Sequence, residues 1–249
     1  GSITGRAGTW VGNANNMLYS GLQAAQVFGF HVNVSTPKHY EINPSLVSPD
    51  NMNYTVQLTP VAYGNVEAQV PAGSAANAAN LNNTASNTLI TTYIAPPPVI
   101  GNLAGDGTTF TEGQDPVLLD KGSDATLTDV GTASFKGGHL DVSVTNNAVV
   151  AEDILGILNS GTGAGEIGVS GSDVSYGGTV IGTFSGGKNG NGLVVSLNAN
   201  ASTAAVQALI RSITYDNSSL TPNPNDRTVT FSVTDSNDQQ SDNVGVSVA

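Results

Sequence analysis

The 249-residue chain contains no cysteine. Disulfides, thiolate metal sites and cysteine nucleophiles are therefore excluded, and stability has to come from core packing or from bound ions. Lys and Arg together number only 7 against 19 Asp and Glu, for a net charge of -12. That balance leaves no basic patch for nucleic acid, and an acidic surface repels both nucleic acid and anionic lipid. Lys, Glu, Leu and Met are sparse, which disfavours long helices. No apolar run is long enough to insert into a membrane. What fills the chain instead is glycine, 30 residues of it, with Thr, Ser, Asn and Val. Such a mixture suits short strands joined by many turns. The length is more than one ordinary sandwich needs and comfortable for two modules.

The sharpest internal boundary is Ala95-Pro96-Pro97-Pro98. Three prolines fit neither a strand ladder nor a helix and favour a stiff linker. Charge changes there as well: residues 1–98 carry about -1 and residues 99–249 about -11. The expected organisation is a first module over 1–95, a linker over 96–100 and a second module over 101–249. In the first, Tyr54-Thr-Val-Gln-Leu-Thr and Val66-Glu-Ala-Gln-Val alternate apolar and polar residues, as half-buried strands do. Thr88-Leu-Ile-Thr-Thr-Tyr-Ile reads as a strand entering the linker. The run 13–30, with Met17, Leu18, Leu22, Ala25 and Phe28, fits either a short helix or a pair of apolar strands. In the second module, strands are expected at Leu140-Asp-Val-Ser-Val, Ile167-Gly-Val-Ser, Thr179-Val-Ile-Gly-Thr-Phe, Leu193-Val-Val-Ser-Leu and Thr228-Val-Thr-Phe-Ser-Val. Tyr176-Gly-Gly and Lys188-Asn-Gly-Asn-Gly supply the positive φ angles of tight hairpins. One helix is expected, capped by Ser202 or Thr203 and burying Val206, Leu209 and Ile210.

Several stretches of the second module occur in an order that resembles the cadherin-like repeats of large calcium-dependent bacterial surface adhesins. They are Val99-Ile-Gly-Asn-Leu-Ala-Gly-Asp, Thr111-Glu-Gly, Ala125-Thr-Leu-Thr-Asp-Val, Phe135-Lys-Gly-Gly-His-Leu-Asp-Val-Ser-Val, Tyr176-Gly-Gly-Thr-Val-Ile-Gly-Thr-Phe and Arg227-Thr-Val-Thr-Phe-Ser-Val-Thr-Asp. Residues of about 50–96, from Tyr54-Thr-Val-Gln-Leu-Thr-Pro through Gly64-Asn-Val-Glu-Ala-Gln-Val-Pro to Asn83-Thr-Ala-Ser, resemble a bacterial Ig-like repeat. The first 50 residues depart from that pattern. The resemblance implies an all-β fold of two tandem β-sandwich modules with one short helix in the second.

It also implies calcium, a hard cation that collects six to eight oxygens from loops. The ligands it points to are Glu112, Asp129, Asp235, Asn237 and Asp238. The loop at Asp129-Val-Gly-Thr lacks one carboxylate of the usual repeat, and the competing reading is that these are solvated turn residues. Other signals fit bland readings. Gly163-Ala-Gly-Glu-Ile-Gly168 spells a dinucleotide motif, but strand-like sequence follows where a helix is required. His31, His39 and His139 have no metal-ligand spacing, and Asp115-Pro116 fits a turn. Glu152-Asp153 are adjacent acids, suited to capping rather than to a glycosidase pair. Trp10, Tyr19, Phe28, Phe30 and Tyr40 are either core or a sugar-stacking surface.

The function expected from all this is a non-catalytic, extracellular structural or adhesive segment of a bacterial surface protein, rigidified by calcium. Its partners would be neighbouring modules or copies of itself, or a glycan or host-surface ligand. The alternatives are a self-assembling S-layer or filament subunit that exchanges an N-terminal strand, and a carbohydrate-binding module.

Overall fold

The computed structural model of the chain describes residues 2–5, 31–34, 41–42, 54–59, 64–69, 72, 82, 84–85, 87–132 and 134–249. The stretch 13–30, the aromatic cluster from Trp10 to Tyr40, and His39 lie outside the described residues. The chain divides into two compact units, Gly1–Ala95 and Pro96–Ala249.

Among its described residues the first unit holds six strands: β1 (Ser2–Gly5), β2 (His31–Val34), β3 (Glu41–Ile42), β4 (Tyr54–Thr59), β5 (Gly64–Gln69) and β6 (Leu89–Tyr93). They form two antiparallel sheets, ordered β1-β4-β3 and β2-β5-β6. The alternating runs at 54 and 66 are thus strands β4 and β5. The opening residues pair with the first of them, Ile3 opposite Val56.

The second unit begins with β7 (Val99–Gly101), so the stretch expected as linker already becomes strand at Val99. There follow β8 (Gly107–Thr108), β9 (Val117–Leu118), β10 (Thr126–Thr128), β11 (His139–Asn146), β12 (Asp153–Ile157), β13 (Ile167–Ser170), β14 (Asp173–Tyr176), β15 (Thr179–Gly186) and β16 (Leu193–Leu197). Helix α1 (Thr203–Arg211) then leads to β17 (Ile213–Asn217), β18 (Arg227–Thr234) and β19 (Val244–Val248). Eight strands form one sheet, ordered β13-β14-β15-β16-β11-β18-β19-β8. Its last pairing is parallel, with Ser247 opposite Gly107 and Val248 opposite Thr108. Two smaller antiparallel sheets are β12-β17-β9 and β10-β7.

Period-two alternation explains the central strands. In β11, Leu140 and Val142 are buried while His139 and Asp141 lie on the other face, where His139 Nε2 sits 3.0 Å from Asp141 Oδ2. Leu193 and Val195 of β16, and Val229, Phe231 and Val233 of β18, join the same core. Leu155, Ile213 and Tyr215 bring the β12-β17 sheet into it, and Ile100 and Leu127 the β7-β10 pair. Each fully buried aliphatic or aromatic side chain contributes about 1.5–3 kcal/mol of transfer free energy. The β14–β15 hairpin closes on Gly177 and Gly178, both at positive φ (57° and 79°), between the paired Tyr176 and Thr179. Two successive positive φ angles are what a primed two-residue turn demands. Gly138 is required for a different reason: a Cβ there would lie 2.0 Å from the Thr234 carbonyl oxygen.

Ser202 is the helix N-cap, its Oγ accepting from the Ala205 amide at 3.2 Å. Ala205, Val206, Leu209 and Ile210 form the buried stripe, as an i, i+1, i+4, i+5 pattern must at 3.6 residues per turn. The half-exposed face is held as well. Arg211 Nε donates to the Ala125 carbonyl at 2.8 Å, and Gln207 Oε1 accepts from the Leu127 amide at 3.0 Å, so the helix is fixed across β10.

Candidate functional site

The chemistry in the described residues is carried by buried carboxylates at strand ends. Asp235 follows β18 directly and is completely buried. Its Oδ1 accepts from the Asn237 amide at 2.7 Å and the Gln239 amide at 2.9 Å, which shapes the turn to β19. Its Oδ2 is buried without a hydrogen-bond partner. Asp129, one residue past β10, accepts from the Thr132 hydroxyl on Oδ2 while its Oδ1 is likewise unpartnered. Burial pushes the Asp129 carboxyl above its ordinary range, and the nearby Asp235 charge adds to the rise.

Of the five residues expected to ligate calcium, Asp129 and Asp235 are buried, and the charge of Asp235 reaches the Asp129 carboxyl. Asn237 and Asp238 belong to the turn that Asp235 shapes; both are exposed, and Asp238 has a positive φ of 58°. Glu112 is exposed on the loop between β8 and β9. Among the described residues, the one grouping of three or more acidic or histidine side chains placed to share an ion lies elsewhere, at Asp106, Asp120 and Asp124. Sequence reasoning passed over these three. The available signal was only that each stands at the end of a strand, beside β8, β9 and β10.

Asp153 shows the opposite environment. Its Oδ1 accepts from Tyr215 Oη at 2.6 Å, Asn217 Nδ2 at 3.1 Å and Arg227 Nε at 3.3 Å. Its Oδ2 accepts from the Val149 amide at 2.6 Å. All four side chains are buried. Arg227 Nη1 also donates to the carbonyls of Asn223 and Asn225. Burial, more than the neighbouring carboxylate, pushes the Tyr215 phenol up to about 12. Its ring meets Phe110 edge-on, with centroids 5.6 Å apart. Asp153 thus combines the turn-capping role expected of the Glu152-Asp153 pair with a buried ion pair. The run Gly163–Gly168 leads into strand β13 and then β14, so the dinucleotide spelling has no helix to serve it. Glu166 Oε2 accepts from the Gly163 amide at 2.7 Å across that turn.

No protein-family model matches the chain. Curated proteins that match part of it are named ornithine carbamoyltransferase. The protein of that name from Herminiimonas arsenicoxydans is 65% identical over 60 residues, which is 24% of this chain and 20% of that protein. Those from Burkholderia cenocepacia and Bordetella avium are 51% identical over 51 residues and 53% identical over 47 residues. They cover 20% and 19% of this chain, and 16% and 15% of those proteins. The chain spans a fifth or less of the length of these relatives.

These findings correct the reading of the sequence. The resemblance to cadherin-like and Ig-like repeats is overturned, since no such family model is matched and the matching relatives carry an enzyme's name. With it fall the structural or adhesive function, the S-layer, filament and carbohydrate-binding alternatives, and the expectation of a non-enzyme. The extracellular, cell-surface location rested on the same resemblance and falls too. The physical reason is that alternating strands, glycine hairpins and acidic turns are what any acidic β-rich unit must have. They specify local structure, and function does not follow from them. No helix among the described residues is long and apolar enough to cross a membrane.

Proposed function

We propose that the first unit carries the segment shared with ornithine carbamoyltransferases and takes part in binding ornithine or a carbamoyl group. The second unit is then a strand-rich module on the same chain. The observation that carries this reading is the 65% identity over 60 residues. At that level nearly two thirds of the aligned positions keep the same side chain. Two features favour the first unit as its place. Leu18, Leu22, Ala25 and Phe28 recur at the three- and four-residue spacing of a helix face, unlike the alternation of 140–146 or 193–197. The charge break at the proline run also sets residues 1–98 apart from the acidic remainder.

Trp10 is the only tryptophan of the chain, so its emission reports on the first unit alone. Titration with ornithine is expected to change Trp10 emission saturably, and a carbamoyl donor to alter the ornithine midpoint. Flat emission and no binding heat at millimolar ornithine, with no carbamoylated ornithine formed, would refute the reading.

A separate observation favours a second role, calcium binding by Asp129 and Asp235 in the second unit. Two buried, unpartnered carboxylate oxygens on loops that leave β10 and β18 are an oxygen-donor set of the hard-cation kind. Its test is the loss of one calcium per chain on Asp129→Asn, measured by calorimetry.

A further inference from the structure

We propose that Asp106, Asp120 and Asp124 form a calcium site of their own, which ties the β7–β8 turn to the β9–β10 loop. One carboxylate oxygen from each residue lies within 4.8 Å of the other two. Oxygens that share a calcium ion at about 2.3–2.6 Å stand no farther apart than about 5 Å, so the three can reach a common centre.

The second observation is Asp120 itself. It is only 2% exposed, and its Oδ1 is buried without a hydrogen-bond partner. Its Oδ2 is turned to the protein, accepting from the Ala125 amide at 3.1 Å. A buried carboxylate oxygen with no donor costs free energy unless a cation or proton answers it. The side chains nearest in charge make matters worse, because Asp106 and Asp124 are both acids. Among the described residues the ion pairs within 4 Å are His139–Asp141 and Arg227–Asp153, and neither involves these three acids.

The backbone holds the two loops in place before any ion arrives. Asp106 Oδ2 accepts from the Lys121 amide at 2.8 Å, bridging one loop to the other. The Asp106 carbonyl accepts from the Ser247 amide of β19 at 2.8 Å, and the Leu119 amide donates to the Ile213 carbonyl of β17 at 3.0 Å. Asp106 is therefore anchored to the eight-stranded sheet and Asp120 to the three-stranded one. An ion between them cross-links the two sheets at a point where their own side chains repel. Asp124 is exposed, so one side of the site is open to water. Calcium tolerates such mixed protein and water shells with irregular geometry, whereas magnesium demands a near-ideal octahedron.

The experiment is calorimetric and thermal titration with calcium chloride, after chelation, of the full chain carrying Asp129→Asn. That background removes the other loop pair. The expected result is one calcium per chain with a Kd on the order of 0.1–1 mM, as for sites with few carboxylates, and a rise in Tm. Adding Asp124→Asn or Asp106→Asn weakens the affinity at least tenfold and abolishes the Tm rise. Asp124 is exposed, so its substitution does not disturb folding. Calcium affinity and Tm response unchanged by both substitutions would overturn the proposal, as would a chain that binds no calcium in the Asp129→Asn background.

Discussion

Asp153 and Asp120 are both buried aspartates at strand ends of the same unit, at 8% and 2% exposure. Their surroundings have opposite sign. Asp153 receives four donors, one of them the Arg227 guanidinium. Asp120 receives only backbone amides, those of Ala125 and Asp124, leaves Oδ1 without a partner, and has the Asp106 and Asp124 charges for neighbours. Burial alone therefore says little about what a carboxylate is for. The neighbours decide whether the charge is already neutralised, and so part of the scaffold, or held in reserve for a cation.

The comparison breaks most visibly at Asp153. Replacing it by Asn leaves the buried Arg227 without its counter-charge, and removing one partner of a buried pair costs about 3–5 kcal/mol. A large fall in the denaturation midpoint of the second unit is expected, with or without calcium. A variant as stable as the parent would show that Arg227 is satisfied by the Asn223 and Asn225 carbonyls alone. Tyr215→Phe is expected to cost less, about 1.5–3 kcal/mol, the worth of a hydrogen bond to a charged acceptor. The phenol also supplies a spectral check. Its pKa of about 12 lies above the value near 10 of an exposed tyrosine. The stabilisation linked to this proton is complete below about pH 10 and is lost as pH rises through about 12. Absorbance titration should show one tyrosine ionising only in that range, and Tyr215→Phe should delete that step.

Much of the scaffold around these acids is legible from local pattern. The β11 and β18 sequences alternate apolar and polar residues along most of their length, Gly177-Gly178 dictates its hairpin, and Ser202 followed by an Ala-Ala-Val stripe dictates helix α1. Non-local facts are not written that way. Strand β8 is two residues long, and its parallel pairing with β19 joins opposite ends of the unit. The Asp106-Asp120-Asp124 grouping depends on that closure, so three ordinary turn acids become one site only after the chain has folded. Asp129, Asp235 and Glu112 were all named through the resemblance to calcium-dependent repeats, and nothing local in the sequence separates the two buried acids from the exposed one. The similarity to ornithine carbamoyltransferases is a matter of residue-by-residue identity, which hydrophobic periodicity does not carry.

The smallest and most discriminating effect belongs to Asp120. Burial, reinforced by the Asp106 and Asp124 charges, raises its carboxyl above the ordinary aspartate range. In the interval between the unfolded and folded values the folded chain binds more protons, so stability falls as pH rises through that interval and stays reduced above it. Asp120→Asn removes the charge, keeps an acceptor for the Ala125 amide, and turns an amide donor toward the neighbouring acids. With chelator at neutral pH the variant should therefore be more stable than the parent. The measurement is the Tm in chelator, expected to be higher in the variant than in the parent. With saturating calcium, and with Asp129→Asn present in both chains to remove the other loop pair, the order should invert, because calcium bound at the three-aspartate site stabilises only the chain that keeps Asp120. Asp153→Asn should show no such crossing. If Asp120→Asn is destabilising in chelator, Asp120 is satisfied by the protein as Asp153 is, and the contrast between the two buried acids disappears.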